Sequence, residues 1–518
     1  MQQQPITCPT CRSGNVERRG FSKGEEPRQR VVCYNCEKWF SVPIAYEKEP
    51  SWERSDKELK DMLQSERFII TSAQNNTALD EKFWAGLKQL STYYKAQILV
   101  IPVLYRNVHS IQTGEDKEAW WPKEVIPYLV QNRMKLCKGL RLLGDIKVQA
   151  TAVNPLVGLE ALSQGDSAIV GHAQIQMRTI ATPQHKLAKI MHTTGSTSVK
   201  NYSNTKYGAK GRFHHSLGAL ILEKDNGCFH LRSVVGDENS EFYDINLHVT
   251  AVGVRKIPAV EGLVTGDTHA IFHSPLVRKA TFEDADSIVN VTKPKIIVRH
   301  DLIDSYSISH HHRGRTVTNF KKWLTGTNCL QAELEGTAKL VEETTPKGTL
   351  NVVVASNHHE HIGRWLEEAD PKEEPWNAIL YHELMLSWLK AVRGGDEDFD
   401  PFTHWMQKHC AAKCQFVKRT EPYIIKDILI SMHGDKGPNG SRGSLASLSK
   451  MGVKTVIGHS HTPAIEKGCY MVGTSSSLSM EYSKDGPSSW LNSHCLIFPN
   501  GKRQLINIIK GKWRRPLK

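Results

Sequence analysis

The chain has 518 residues, 39% of them hydrophobic, with a mean hydropathy of −0.42, and so reads as an ordinary soluble protein of two or three domains. No apolar run approaches the ~20 residues of a membrane-spanning helix. The opening Met-Gln-Gln-Gln-Pro is no signal peptide, and a cytosolic protein is expected. Lys and Arg outnumber Asp and Glu by 67 to 54, giving a net charge of +13 and an isoelectric point near 9.1, which favours polyanionic partners, nucleic acid before membrane surface. Eleven cysteines, scattered beyond the first four, suit reduced thiols better than a disulfide framework.

In chain order, the first signal is a pair of Cys-x2-Cys knuckles, Cys8/Cys11 and Cys33/Cys36, with 21 residues between them. Four thiolates at this spacing suit one tetrahedral structural zinc, which would supply much of the folding energy of so short a segment. Residues 1–45 resemble the zinc ribbons of transposases and other DNA-handling proteins. Arg18, Arg19, Lys23, Arg28 and Arg30 form a basic hairpin between the knuckles, and a ribbon that only contacts protein stays open. Residues 46–65 read as a polar linker with a short helix capped by Ser55 or Asp56.

From residue 66 to 258 the pattern is α/β. A strand at 68–71, an amphipathic helix at 80–96 with Phe83, Leu87, Leu90 and Tyr94 near one face, and a strand at 97–103 make a βαβ unit. Further strands are expected around 166–176, 217–222, 229–234 and 243–252. Between them Lys186, Lys189, His192, Thr193, Thr194, Gly195, Lys200, Tyr202, Lys206, Tyr207, Lys210 and Arg212 suggest either a phosphate-tracking surface with stacking rings or a plain solvated face. This middle region carries no assignable activity of its own.

Residues 259–518 repeat one device five times: an apolar, β-branched run ends in Asp, Asn or His. Residues 262–270 end at Asp267 and His269, 296–304 at Asp301 and Asp304, 351–360 at Asn357 and His358, 427–434 at His433, and 454–461 at His459 and His461. Continuous apolar runs are the mark of parallel strands buried on both faces. Ligands of open α/β sheets gather at the strands' carboxyl ends. Five coincidences at one position are hard to explain structurally, and a metal-binding cluster is the simpler reading. Residues 376–393 have helical apolar spacing (Ile379, Leu380, Leu384, Leu386, Leu389) and read as core. Cys410 and Cys414 read as buried thiols, and 510–518 as a basic tail with one aromatic, suited to gripping a nucleic-acid backbone.

The order Asp-x-His, Asp-x-x-Asp, Asn-His, His, Gly-His-x-His resembles the calcineurin-like metallophosphoesterase superfamily over about residues 260–500. Two blocks depart from its pattern: His300 stands where Gly is usual before the second block's Asp, and the third reads Ser356-Asn357-His358-His359 where Gly-Asn-His-Asp/Glu is usual. The resemblance implies an α/β/β/α sandwich holding two divalent ions bridged by Asp301. One ion would take Asp267, His269, Asp301 and His461; the other Asp301, Asn357, His433 and His459. It implies manganese first, with Mg, Fe, Zn, Co or Ni open. His358 would protonate the leaving group or hold the phosphate, and Asp304 would support a liganding imidazole. Arg313 and Arg315 are weaker candidates for clamping phosphate.

Ribbon, charge and tail together point to DNA as the substrate, hence a metal-dependent deoxyribonuclease. A looser resemblance joins the chain to the early nucleases of large tailed bacteriophages that degrade host DNA, which would act in the host cytoplasm. The rivals are a phosphatase or cyclic-nucleotide phosphodiesterase, and a non-catalytic DNA-binding factor on a vestigial phosphoesterase fold. Homo-oligomerisation of unknown order stays open.

Overall fold

A computed structural model describes residues 7–21, 28–43, 51–105, 119–480 and 485–516. The chain divides into two compact units, Met1–Ser51 and Trp52–Lys518. In the first, three antiparallel strands, Val16–Phe21, Arg28–Cys33 and Trp39–Pro43, follow in chain order. Its core is little more than Cys8, Val31 and Cys33. So few buried side chains cannot hold a sheet of this size without a crosslink. Both knuckles turn alike: the residue after each second cysteine, Arg12 or Glu37, takes a left-handed conformation with φ 56° and 58°. Of the basic hairpin residues, Lys23 lies outside the described residues, as do the side chains of Arg18, Arg19 and Arg28. Arg30 lies over the Trp39 ring, 4.8 Å from its centroid.

The second unit opens on the helix Asp56–Met62, where Ser55 and Glu58 form a capping box. A four-stranded sheet follows in the order Cys228–Val235, Gly218–Asp225, Arg67–Gln74, Gln97–Val103. Its two parallel strands are joined by the helix Glu81–Tyr94, the βαβ unit expected. Asp80 caps that helix by accepting from the Phe83 N–H, and the apolar stripe Phe83, Leu87, Leu90 and Tyr94 is buried against the sheet.

A six-stranded sheet runs Cys414–Val417, Leu350–Val354, Ile296–Arg299, Gly262–Val264, Asn492–Ile497, Arg503–Ile508, the first four strands parallel. Successive side chains point to opposite faces. Thus Val264, Val298 and Val352 meet Ile428, Val456 and Ile465 of a second large sheet. Leu263 and Ile297 instead meet Val277, Ala280 and Ile288 in the helical layer behind.

That second sheet has ten strands: Ile424–Ile425, Ile428–Leu429, Thr455–Ile457, Cys469–Met471, Ala464–Glu466, Met177–Ile180, Lys189–Thr193, Ser167–Val170, Leu140–Leu143 and Arg133–Cys137. Residues 66–258 and 259–518, separate regions on the sequence reading, therefore share one sheet, joined where Met177 pairs with Ile465.

Four expectations need correction. The single strand at 243–252 is a turn between Phe242–Asp244 and Leu247–Thr250, made at Ile245 (φ 57°). Of the basic run, His192, Thr193, Thr194 and Tyr202 are buried, the first two within the Lys189–Thr193 strand; only its cations and Tyr207 reach solvent. In the helix Ala378–Arg393, Leu380 and Leu384 are buried, but Ile379, Leu386 and Leu389 are 78%, 53% and 60% exposed. The apolar spacing therefore marks two faces, one of them outward. The C-terminal segment is not a free tail: Trp513 is buried and donates to the Asp286 carbonyl, Lys512 pairs with Asp225 at 3.0 Å, and Arg515 pairs with Glu66.

Candidate metal centre

The five strand ends meet where the six-stranded sheet faces the ten-stranded one. Asp267 and His269 follow Gly262–Val264, and Asp301 follows Ile296–Arg299. Asn357 opens the helix Asn357–Glu368 behind Leu350–Val354. His433 follows Ile428–Leu429, and His459 and His461 follow Thr455–Ile457. Beyond the strands the first two loops stay zipped: Thr268 N–H donates to His300 O, His269 N–H to Asp301 O (2.7 Å) and Ala270 N–H to Leu302 O.

Within these loops His269, Asp301, His459 and His461 all adopt positive φ, at 43°, 39°, 75° and 57°. A non-glycine residue there costs about 1–3 kcal/mol and persists only when its surroundings over-determine it. Four such residues converging on one spot is the pattern of a built site. Gly458 is part of it: a Cβ at that position would lie 2.2 Å from Asp267 Oδ1.

Two donor groups share Asp301. Asp267, His269, Asp301 and His461 each offer a ligand atom within 4.8 Å of the others, as do Asp301, His433 and His459. His461 Nε2 is 3.3 Å from Asp267 Oδ2, and His433 Nε2 is 3.1 Å from Asp301 Oδ2. Buried oxygens Asp267 Oδ1, Asp301 Oδ1 and Asn357 Oδ1 have no hydrogen-bond donor. An unmatched buried carboxylate oxygen is expensive, and two imidazole nitrogens, His269 Nε2 and His461 Nε2, face each other at 3.0 Å. Two lone pairs repel at that distance unless a proton or a cation lies between them. The residues present therefore fit metal ions.

Electrostatics agree. Burial works against charge on all these groups, yet His433 holds Asp301 well below the ordinary carboxylate range. Burial likewise opposes charge on His269, but hydrogen bonding and attraction from Asp304, with Asp301 and Asp267, push it up to about 9. Without cations the carboxylates recruit protonated histidines to balance their charge.

Asp304 Oδ2 sits 2.8 Å from His269 Nδ1, which fixes the ring with Nε2 toward the cluster. His358, one-fifth exposed, has its Nδ1 2.5 Å from the Asp304 carbonyl oxygen, leaving Nε2 available. Arg313 is engaged with Glu368 at 2.7 Å, and Arg315 is exposed just before the helix Thr316–Thr325.

Two residues at the departures from the superfamily pattern have work the sequence did not reveal. His300, fully buried, lies with Nδ1 3.4 Å from His433 Nδ1, and burial lowers its pKa to about 4, so it is neutral. His359 accepts the Leu302 N–H at 3.1 Å and stacks on Phe402, holding the loop beyond Asp301. Their only sequence signal was that histidine replaced another residue inside a recognisable motif.

In the first unit Cys8, Cys11, Cys33 and Cys36 form a separate donor group. The Cys8–Cys36 and Cys11–Cys33 sulfurs are each 3.5 Å apart, close to the roughly 3.8 Å edge of a tetrahedral thiolate site with 2.3 Å metal–sulfur bonds. Among the described residues no helix is long and apolar enough to cross a membrane.

Fold and clusters define a mixed α/β protein with a buried His/Asp site able to hold metal ions and a separate four-cysteine site of zinc-ribbon type. The chain is 32% identical over 464 residues to Protein A1 of Escherichia phage T5, covering 87% of this chain and 83% of that protein, and it belongs to that protein's family. No protein-family model matches it. Among solved structures, Vps29 of Chaetomium thermophilum matches 37% of this chain and 95% of that one, at 10% identity and a TM-score of 0.20, a likeness too slight to carry an argument.

Proposed function

We propose that the chain is a metal-dependent phosphodiesterase of calcineurin-like type that hydrolyses DNA. The observation that carries the reading is the pair of donor groups sharing Asp301, with buried oxygens that no hydrogen bond satisfies. One ion would be held by Asp267, His269, Asp301 and His461, the other by Asp301, Asn357, His433 and His459, with manganese the first choice among the metals such mixed N and O donors accept. When bound, two such ions supply charge stabilisation to the phosphoryl oxygens and activate water.

The chain's own residues do the rest. Asp304 sets the tautomer of His269. His358, its Nδ1–H directed to the Asp304 carbonyl, carries its labile proton on Nε2, from which a leaving oxygen can take it. Zinc in the four-cysteine site would brace a ribbon suited to gripping DNA. DNA as substrate is supported by the net charge of +13 and by that ribbon. Kinship with a phage protein fits action on host DNA in the host cytoplasm. Incubating the purified chain with linear and closed-circular DNA, with and without manganese, tests the reading. Manganese-dependent breakage supports it, and intact DNA at full metal loading would refute it.

A further inference from the structure

The ten-stranded sheet reads alike from both ends. From Ile424–Ile425 inward its pairings run antiparallel, parallel, parallel, antiparallel; from Arg133–Cys137 inward they run the same way. The registers also agree. Ala168 pairs with Arg141 and Met191 as Thr455 pairs with Leu429 and Cys469. In that register Met177 corresponds to Ile465, and these two residues pair with each other at the centre, as a local two-fold axis requires.

The outer sheets follow suit: Cys228–Val235, Gly218–Asp225, Arg67–Gln74, Gln97–Val103 repeat the order and directions of Arg503–Ile508, Asn492–Ile497, Gly262–Val264, Ile296–Arg299. Sequence confirms the match. Gly171-His172-Ala173-Gln174 stands where Gly458-His459-Ser460-His461 does, and Gly195-Ser196-Thr197-Ser198 where Gly473-Thr474-Ser475-Ser476 does. Even a backbone bond is repeated: Thr194 N–H to Val170 O, and Val472 N–H to Ile457 O.

The first copy lacks ligands at the positions of the donor cluster; its own candidate group, Asp225, Cys228 and His230, lies at the hairpin between Gly218–Asp225 and Cys228–Val235. Residues 71–77, at the end of its first strand, contain no acid and no histidine, nor do residues 99–105 at the end of its second. Asp145, in the register of His433, is committed to Arg133. His172 keeps the place of His459 but spends both nitrogens at home, on the Gln149 carbonyl and the Gln174 N–H.

What this copy carries instead is positive charge. Between Asp166 and Glu223 there is no Asp or Glu, against seven Lys and Arg. Much of that charge lies on the helix Lys206–His214, tied to the Ser198 loop through His215, which contacts both the Ser198 carbonyl and Tyr202. Gly208 and Gly211 press it onto the body, since a Cβ there would strike Ser203 O at 1.9 Å and the Tyr202 ring at 2.8 Å. The opposite side turns Lys206, Lys210 and Phe213 to solvent, with Tyr207 and Arg212 exposed on its flanks and Arg212 also donating to the Tyr202 carbonyl; the rings of Tyr207 and Phe213 are 69% and 78% exposed. Cations interleaved with exposed rings are what track a phosphodiester backbone and stack on its bases.

We infer that residues 67–235 are a second, ligand-stripped copy of the fold that carries the donor cluster, and that its helix Lys206–His214 binds the polynucleotide that the other copy acts on. The inference rests on the DNA reading of the metal centre. The test compares Lys206→Glu/Lys210→Glu/Arg212→Glu with a control of equal charge, Lys88→Glu/Lys95→Glu/Lys347→Glu, in the full chain. DNA affinity is measured at several salt concentrations beside turnover of bis(p-nitrophenyl) phosphate.

The helix variant should bind DNA at least ~10-fold more weakly than the control, with a salt slope smaller by about 2–3, and turn over the small diester within about twofold of the parent. Affinity and slope equal to the control's would overturn the inference, as would a parent chain that does not bind DNA or a matching fall in small-diester turnover. A parent that binds DNA with this helix-dependent slope but hydrolyses neither substrate would leave the inference standing and remove the hydrolase reading.

Discussion

His358 can be separated from the two donor groups that share Asp301 because it belongs to neither, although it packs edge-on against the His269 ring and forms a further donor group with His269 and Asp304. His358→Ala should therefore keep its metal and lose ~10²–10⁴-fold in turnover, the usual range for a missing general acid. A p-nitrophenyl diester, whose leaving group needs little help, should lose less than DNA; equal losses would make His358 a positioning residue. Gly458→Ala is a sharper probe, since its methyl would displace Asp267, 2.2 Å away, while leaving every donor in the sequence. It should empty the site nearest Asp267 yet retain the thiolate-bound ion, and an unchanged metal content would show that the loop relaxes. At this scale the sequence was informative about donor types, because Asp, Asn and His at the ends of β-branched runs have few structural uses. It was silent on the left-handed conformations of His269, Asp301, His459 and His461, and on His300 and His359, because these depend on contacts between loops far apart in the chain.

Among the elements, the helix Ala378–Arg393 shows where periodicity stops being informative: apolar residues at helical spacing do not say which face is covered. Leu384, buried against the neighbouring helices, should cost about 2–5 kcal/mol on truncation to alanine, whereas Leu386→Ala, 53% exposed, should cost less than ~0.5 kcal/mol. Urea midpoints of the two variants check this, and similar shifts would mean the outward face is covered in solution. The ribbon is a compact unit by itself. Removing residues 1–51, or changing Cys33 and Cys36 to Ser, should weaken DNA binding and flatten its salt dependence while small-diester turnover stays near normal. Unchanged affinity would assign the ribbon to protein contacts, and collapsed turnover would make it part of the assembly of the larger unit. The βαβ unit and the strands before the donors were legible in the sequence because each has its own apolar period and cap. The duplication was not: the copy lost the Asp and His that make the motif visible, leaving only Gly-His and a Gly-Ser/Thr run.

The molecule as a whole joins one copy that carries the donor groups sharing Asp301 and one that lacks them in a common ten-stranded sheet. Its positive balance is concentrated in the copy that lacks those donor groups, as the proposal that one part holds a polyanion and the other cuts it requires. The central claim is narrower: Asp301 joins two ions in a hydrolytic site. Asp301→Asn replaces the one carboxylate common to both donor sets by a neutral amide, and electrostatic stabilisation of this kind is worth at least ~10³-fold in rate. The direct measurement is manganese titration of the metal-stripped chain and of Asp301→Asn, counting bound ions beside turnover of bis(p-nitrophenyl) phosphate. The account predicts two tight manganese ions and manganese-dependent turnover in the parent, with both lost in the variant while the thiolate-bound ion remains. A variant that keeps two manganese ions and near-normal turnover, or a parent that binds none, would contradict it.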